Sequence, residues 1–370
     1  MRTARRYIYW QILKAVAFIT VSFLALFAFF DALNDLAFTS RTAIPYGWRN
    51  SFIYVGLLLP GHAYELLPIA VLIGTIFVMA SLAQSSEFTI LRTSGLGPWM
   101  ALRNLLWLGA FFAVFTFLVG DYLTPRSEKA AQFYKAQFEG NVTAGRTGAW
   151  IKENVEGLDR IVNVQELTPD GQMRNIRIFD FDAEGFLTRL RKAESGTFAQ
   201  GGWQLANMRD NVLNTPARSG VDQQQHIVHT TASAFLLQTD IQQSMVAAAL
   251  LKPDRMSTYE LYRYVRHLKA NAQSAHLYEL EFWRKLLYPL TCLVMTILAL
   301  PFAYLHFRSG NITTAVFIGV IVGISFFMLN NVFGYIGNIN AWTPWLVAAT
   351  PCLIYMLGAL LTFRWLVLHR

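Results

Sequence analysis

Long apolar stretches along this chain fall into two groups of three, separated by a long and more polar middle. The stretches 13–33, 62–83, 104–123, 286–305, 312–335 and 343–367 each supply the ~20 apolar residues that a helix needs to cross a ~30 Å hydrocarbon core. In hydrocarbon the backbone satisfies its own N–H and C=O groups only as a helix or a closed barrel, so six such runs predict six transmembrane helices. Pro60, Pro68, Pro289, Pro301, Pro344 and Pro351 are expected at or near span ends, where a missing N–H costs least.

The middle has a different period. RSEKAAQFYKAQ is polar and helical, and predicts an extension of the third span over 126–144. RIVNV, NIRIFDF and HIVHT are short runs rich in Val, Ile and Phe, and GWQLANM sets Trp203 and Leu205 in alternation. TPDG, DAEG and QGG punctuate these runs as turns. The pattern predicts an antiparallel β-domain over 145–250, of sandwich or jelly-roll type. In STYELYRYVRHLKA, Ser257 and Glu260 have capping-box spacing and open an amphipathic helix. A second polar helix near 275–285 completes a connecting region over 251–285. The plan is therefore three spans within 1–125, the inserted β-domain, and three spans within 286–370, with no sequence repeat between the halves.

Composition agrees with an integral membrane protein: 54% of residues are hydrophobic, 15% are charged, and mean hydropathy is +0.34. The first apolar run is too long for a cleaved signal and lacks a small-residue cleavage site, so it is expected to persist as a span. The net charge of +8 is largely topological. Arg2, Arg5, Arg6, Lys14, Arg92, Arg103, Arg308, Arg364 and Arg370 all fall on one side if the N-terminus is cytoplasmic. The opposite short loops hold only Arg41 and Arg49 in one case and no Lys or Arg in the other, so a nucleic-acid partner is not implied. Cys292 and Cys352 lie inside apolar runs and read as small packing residues.

Catalytic chemistry is not written in the sequence. GxxxxGK[ST], GxSxG, HExxH and CxxC do not occur, and neither a catalytic residue nor a cofactor is expected. His226 and His229 stand three apart in a strand-like run, so they face opposite sides and cannot share a metal ion. Asp31, Glu65 and Asp121 lie near outer span ends and read as markers of the water interface. A membrane-spanning chain without an engine of its own suggests a transporter subunit driven by another polypeptide.

One connector is longer than a turn requires. LAQSSEFTILRTSGLGPW, residues 82–99, carries Ser85 and Ser86 as candidate N-caps, Glu87 at the positive end of a helix dipole and Gly95 as a C-cap. It predicts a two-turn helix over 86–94 on the cytoplasmic side. Phe88 and Leu91 share a face and could enter a partner's groove, with Glu87 and Arg92 as rim charges. The same helix could instead rest on lipid headgroups, and Ile90, pointing away from Phe88, leaves both readings open.

SSEFTILRTSG after YELLPIAVLIGTIFVMASLAQ resembles the signature of the LptF/LptG permease family, which exports lipopolysaccharide. GDYLTPRSEKAAQFYKAQ, GAWIKENVEGLDRIVNV, IRIFDFDAEG, FWRKLLYPLTCLVMTILALPFAYLHFRSGN and WTPWLVAATP extend the likeness along almost the whole chain, and YELLPI with SSE places it nearer the LptG branch. The resemblance implies a permease of the ATP-binding-cassette type in the bacterial inner membrane, with both termini cytoplasmic and a periplasmic β-jellyroll. It implies an LptF-like paralogue, two copies of an LptB-like ATPase and an LptC-like periplasmic partner, delivering lipopolysaccharide toward the outer membrane. It makes 86–94 the coupling helix, with Ser86, Glu87, Phe88, Leu91 and Arg92 at the ATPase contact. Basic residues for lipid A phosphates are implied at the outer end of span one, but that stretch reads FFDALNDL, with Asp31 and Asp35 and no cation before Arg41. Arg126, Lys129 and Lys135 form the remaining basic collar. Ile176, Ile178 and Trp203 are expected to point inward in the β-domain along a lipid path, and its edge is expected to add a strand from a β-partner. Spans one and five are the expected cavity wall shared with the paralogue. Two alternatives are a lipoprotein-extracting or FtsX-like permease, which the six spans disfavour, and a receptor or enzyme with a periplasmic ligand-binding β-domain.

Overall fold

The computed structural model describes residues 2–36, 46–139, 148–155, 158–168, 171–182, 184–199, 201–213, 227–242, 245–246, 253–271, 273–304 and 312–368. They form two compact units, one of helices and one built on a sheet. In chain order the helices are α1 (Arg2–Leu36), α2 (Trp48–Gln84), α3 (Glu87–Thr93), α4 (Pro98–Leu118), α5 (Thr124–Glu139), α6 (Thr258–Ala270), α7 (His276–Leu287), α8 (Thr291–Ala299), α9 (Ile312–Ile339) and α10 (Pro344–Phe363).

Six helical segments are long and apolar enough to cross a membrane: Thr3–Leu36, Trp48–Gln84, Pro98–Lys135, His276–Ala303, Ile312–Ile339 and Pro344–Leu366. The second begins well before the apolar run that announces it. Pro60 and Pro68 therefore sit inside α2, and Pro351 inside α10, instead of at span ends. Neighbouring groups compensate for such interruptions in membrane helices. The Thr124 hydroxyl donates to the Pro60 carbonyl at 3.1 Å and ties the third span to this part of α2. Pro344 opens α10, and Pro289 and Pro301 occupy the 3₁₀ turns Tyr288–Leu290 and Leu300–Ala303 that flank α8. The third span carries a π turn at Val119–Leu123, joining α4 to α5.

The helical unit is organised around α2, of whose apolar stretch 78% is buried, against 11% for that of α1. Small residues set its contacts. A Cβ on Gly74 would stand 2.8 Å from Val16 Cγ2 and 2.9 Å from the Val16 backbone nitrogen, so α1 crosses α2 almost backbone to backbone. Gly319 and Gly323 of α9 receive Ile76 and Ile69 of α2, where an added Cβ would approach to 2.8 and 3.1 Å. Close approach of this kind is what holds helices together in a solvent as apolar as they are.

The second unit contains β1 (Ala149–Val155), β2 (Leu158–Leu167), β3 (Met173–Phe181), β4 (Leu187–Ala199), β5 (Gly202–Leu213) and β6 (Ile227–Gln238). They pair in sequential order as one antiparallel sheet, so among the described residues the β-domain is a meander. Gly171 and Gly185, at φ 80° and 85°, make the TPDG and DAEG turns that L-residues resist. Alternation buries Ile151, Val162, Val164, Ile176 and Ile178 on one face, with Trp203, Leu205 and Leu237. Two positions further along the same face stand Glu153, Arg160 and Asp180. Arg160 pairs with Asp180 at 2.7 Å and Glu153 at 3.0 Å, and Arg191 reaches Asp180 at 2.9 Å. The capping box opens α6: Glu260 N–H donates to Ser257 Oγ at 3.2 Å and Ser257 N–H to Glu260 Oε2 at 2.9 Å. Its far end is tied to β1 by Asn154 N–H donating to Asn271 Oδ1.

Two expected outcomes follow from this packing. Gly74→Val should destabilise the purified chain by about 1–3 kcal/mol, read as a lower melting temperature in detergent, because the added carbons meet α1 backbone. Gly56→Ala, whose Cβ would enter open space, should leave the melting temperature unchanged or raised. In the β-unit, burial pushes the His267 pKa below its ordinary 6.5, against an opposing pull from Glu153. The folded form resists the proton more than the unfolded one does, so stability is intact above that ordinary value and declines as pH falls below it through the folded pKa. Protection factors for hydrogen exchange in β1 and β2 should fall between about pH 6.5 and pH 5 more in the parent than in His267→Gln.

Candidate functional site

The turn between spans two and three is built from a chain reversal and a helix of only two turns. Ser86 takes a left-handed conformation at φ 60°, ending α2 and starting α3 within two residues. It occupies the N-cap position, but its hydroxyl makes no capping hydrogen bond, so the expected serine cap is not formed. The other end is a Schellman closure: Gly95, at φ 101°, lets Leu96 N–H return to the Leu91 carbonyl at 3.0 Å. Glu87 in the first turn and Arg92 in the last complement the helix dipole.

A helix this short does not persist alone in water. Phe88 anchors it. Its side chain is 2% exposed and meets the Tyr304 ring edge-on, with centroids 5.1 Å apart. Leu91 packs partly against the same core. The Phe88/Leu91 face thus turns into the chain's own interior, which corrects the reading of that pair as a knob for another protein. Ile90, 61% exposed, is the apolar residue that the helix presents outward, together with Thr89, Arg92 and Thr93. The Arg92 guanidinium lies 4.9 Å from the Tyr304 ring centroid. Glu87 Oε2 accepts from the Tyr7 hydroxyl of α1 at 3.0 Å. Behind Phe88 a cavity of about 20 Å³ is lined by Ile8, Tyr9, Met79, Leu105 and Leu300, among others.

The C-terminal end of α1 contains acids that are already engaged with α2 and the residues before it. Asp31 meets His62 Nε2 at 2.6 Å, beside the Phe27 ring, and buried Asp35 accepts from the Tyr46 hydroxyl at 2.6 Å. Arg41 lies outside the described residues. Arg126, Lys129 and Lys135 share α5; Arg126 is exposed over the Tyr122 ring, while the two lysines are half-buried. Ile176, Ile178 and Trp203 point into the β-unit core, and Ile241 and Val246 belong to the same cluster. The Trp203 indole donates to the Ile241 carbonyl at 2.8 Å, so the inner face at these three positions is filled instead of open. His229 is held by its cross-strand neighbour Asn211 at 2.6 Å, and His226 lies outside the described residues. Among the described residues no group of three metal-ligating side chains converges.

Tyr7, His62 and Tyr304 were not among the residues singled out from the sequence. Their partners stand 80 and 31 positions away for the first two, and no local pattern carries that information. The anchoring role of Phe88 yields a direct check. Phe88→Ala should cost the chain itself about 3–5 kcal/mol, visible as a lower melting temperature with no other protein present, whereas Ile90→Ala should leave that temperature unchanged.

The profile of the family described as "Lipopolysaccharide export system permease LptF/LptG" matches residues 6–365. Among individual proteins, the lipopolysaccharide export system permease protein LptG of Escherichia coli K12 is 25% identical over 357 residues, covering 95% of this chain and 93% of that protein. LptG of Haemophilus influenzae Rd is 24% identical over 360 residues, covering 96% of each. With six membrane-crossing helices, an inserted antiparallel sheet and a match along nearly its full length, the chain belongs to the LptF/LptG family of lipopolysaccharide export system permeases.

Proposed function

We propose that this chain is the LptG-type half of a permease pair that lifts lipopolysaccharide from the bacterial inner membrane, powered by a separate ATPase dimer on its cytoplasmic side. The observation that carries this reading is α3: a helix that closes no span, fastened by Phe88 and displaying Glu87, Ile90 and Arg92. In this assignment Ser86 sets the reversal, Phe88 and Leu91 hold the helix, and the outward residues touch an LptB-like ATPase. The positive charge clustered on one side of the spans supports an orientation with both termini in the cytoplasm and the β-unit in the periplasm, where an LptC-like protein would pair with a sheet edge.

The cargo sets a second condition. Each acyl CH₂ moved from bilayer to water costs about 0.8 kcal/mol, so a lipid with several long chains would need tens of kcal/mol if its chains were wetted. Its chains must pass directly from bilayer to protein. α1 and α9 offer suitable faces, with Phe18, Val21 and Phe29 on one and Phe317, Ile321 and Met328 on the other, all exposed. A paralogous permease facing them would close a cavity. Arg126, Lys129 and Lys135, with Arg41, are the proposed cations for lipid phosphates. Ile176, Ile178 and Trp203 would meet acyl chains only after Ile241 and Val246 move aside.

Co-purification tests the assignment. The parent chain should bring down a cassette ATPase with its paralogue, and Glu87→Ala combined with Ile90→Asp should lower that yield about tenfold or more. The melting temperature of the double variant alone should stay at the parental value. Equal ATPase recovery with parent and variant would overturn the role given to α3.

A further inference from the structure

We infer that Tyr7 is a positioning residue for Glu87: its hydroxyl orients the carboxylate for the ATPase and ties α3 to the start of span one. The inference rests on the reading of α3 as the ATPase contact. Glu87 is only half-buried, and a glutamate at such a site otherwise samples several rotamers, whose loss opposes binding. The Tyr7 hydroxyl removes that freedom through a 3.0 Å bond to Oε2. A carboxylate has acceptor capacity at both oxygens, so Oε1 remains able to take a cationic donor while Oε2 keeps the tyrosine.

The same bond places the contact in series with the helix that lines the proposed cavity. Tyr7 belongs to α1, and the next turns of that helix are fixed elsewhere. The Tyr9 hydroxyl donates to the Asn104 carbonyl of α4 at 2.6 Å, and Ile8, Ile12 and Val16 are buried. Beyond Val16 the helix becomes the exposed apolar wall. On its other side α3 leans on Tyr304, at the end of span four, through Phe88 and Arg92. A displacement of α3 thus reaches span one through the Tyr7–Glu87 hydrogen bond and span four through the Tyr304 ring, besides the packing of Phe88 itself.

Tyr7→Phe removes the hydroxyl and keeps the ring. In the assembled complex, reconstituted with lipopolysaccharide in the bilayer, this variant should still carry the ATPase and hydrolyse ATP with an unchanged KM. Lipid released per ATP should fall by about threefold to tenfold, the range of an ordinary solvent-exposed hydrogen bond's net contribution. Glu87→Ala should lower the same ratio, and the Tyr7→Phe/Glu87→Ala pair should be no worse than Glu87→Ala alone, since without the carboxylate the hydroxyl has nothing to position. An unchanged ratio for Tyr7→Phe, or additive losses in the pair, would overturn the positioning role while leaving the ATPase contact intact. Failure of the parent to bind the ATPase would instead bring down the underlying assignment of α3.

Discussion

A helix in hydrocarbon gains little by exchanging lipid tails for the side chains of another apolar helix, so its place must come from close packing and from the few polar groups that find partners. α2 meets that constraint with Gly74 under Val16 of α1, and with Ile69 and Ile76 seated on Gly323 and Gly319 of α9. In its N-terminal half, Gly61 lets Glu128 of α5 come within 2.6 Å of where its Cβ would be, next to the Thr124–Pro60 hydrogen bond. Span four packs on this helix as well, and α4 and α10 pack in turn on α8 of span four. Because α1 and α9 spend only narrow stripes on α2, their wider faces stay apolar and exposed, and the surface available to a lipid or a second permease is a by-product of how the hub is built.

The short helix obeys the same logic at the opposite end of α2. Seven residues cannot nucleate and hold a helix without tertiary support, so α3 must give its best apolar side chain to the interior. Phe88 does so, and Leu96, buried just past the Schellman turn, seals the other end. What remains for an external contact is narrow: one isoleucine, two threonines and two charges already linked to Tyr7 and Tyr304. Contacts of that kind gain their specificity from being held in place, and the aromatic residues of α1 and of the turn after α8 supply the holding.

Much of this architecture was legible in the residues. Six spans follow from apolar length, and the β-domain from alternation broken by TPDG, DAEG and QGG. The capping box at Ser257 and the glycine closure at Gly95 are local chemistry and were readable as such. The early start of α2 was not, because the stretch WRNSFIYVGLLLPGH mixes Asn50, Ser51 and His62 with apolar residues and contains Pro60. Its helix is secured by contacts such as His62 with Asp31, which only the folded chain brings together. The direction of Phe88 was equally hidden. On a two-turn helix Phe88 and Ile90 point apart, and either could face inward until Tyr304 closes over one of them.

The two apolar surfaces of this subunit differ in what it takes to use them. The faces of α1 and α9 are exposed as they stand, so an acyl chain meeting them displaces only lipid. The inner face of the sheet is occupied. A chain entering beside Trp203 must break the indole hydrogen bond to the Ile241 carbonyl and leave its donor needing a new acceptor. Further along that face it meets the Glu153, Arg160, Asp180 and Arg191 network, where separating any one partner strands a half-buried charge. Any route through the β-unit therefore begins with an opening step that the membrane faces do not require, and whatever drives that opening must act on the stretch after β6, which Ile241 anchors through Trp203.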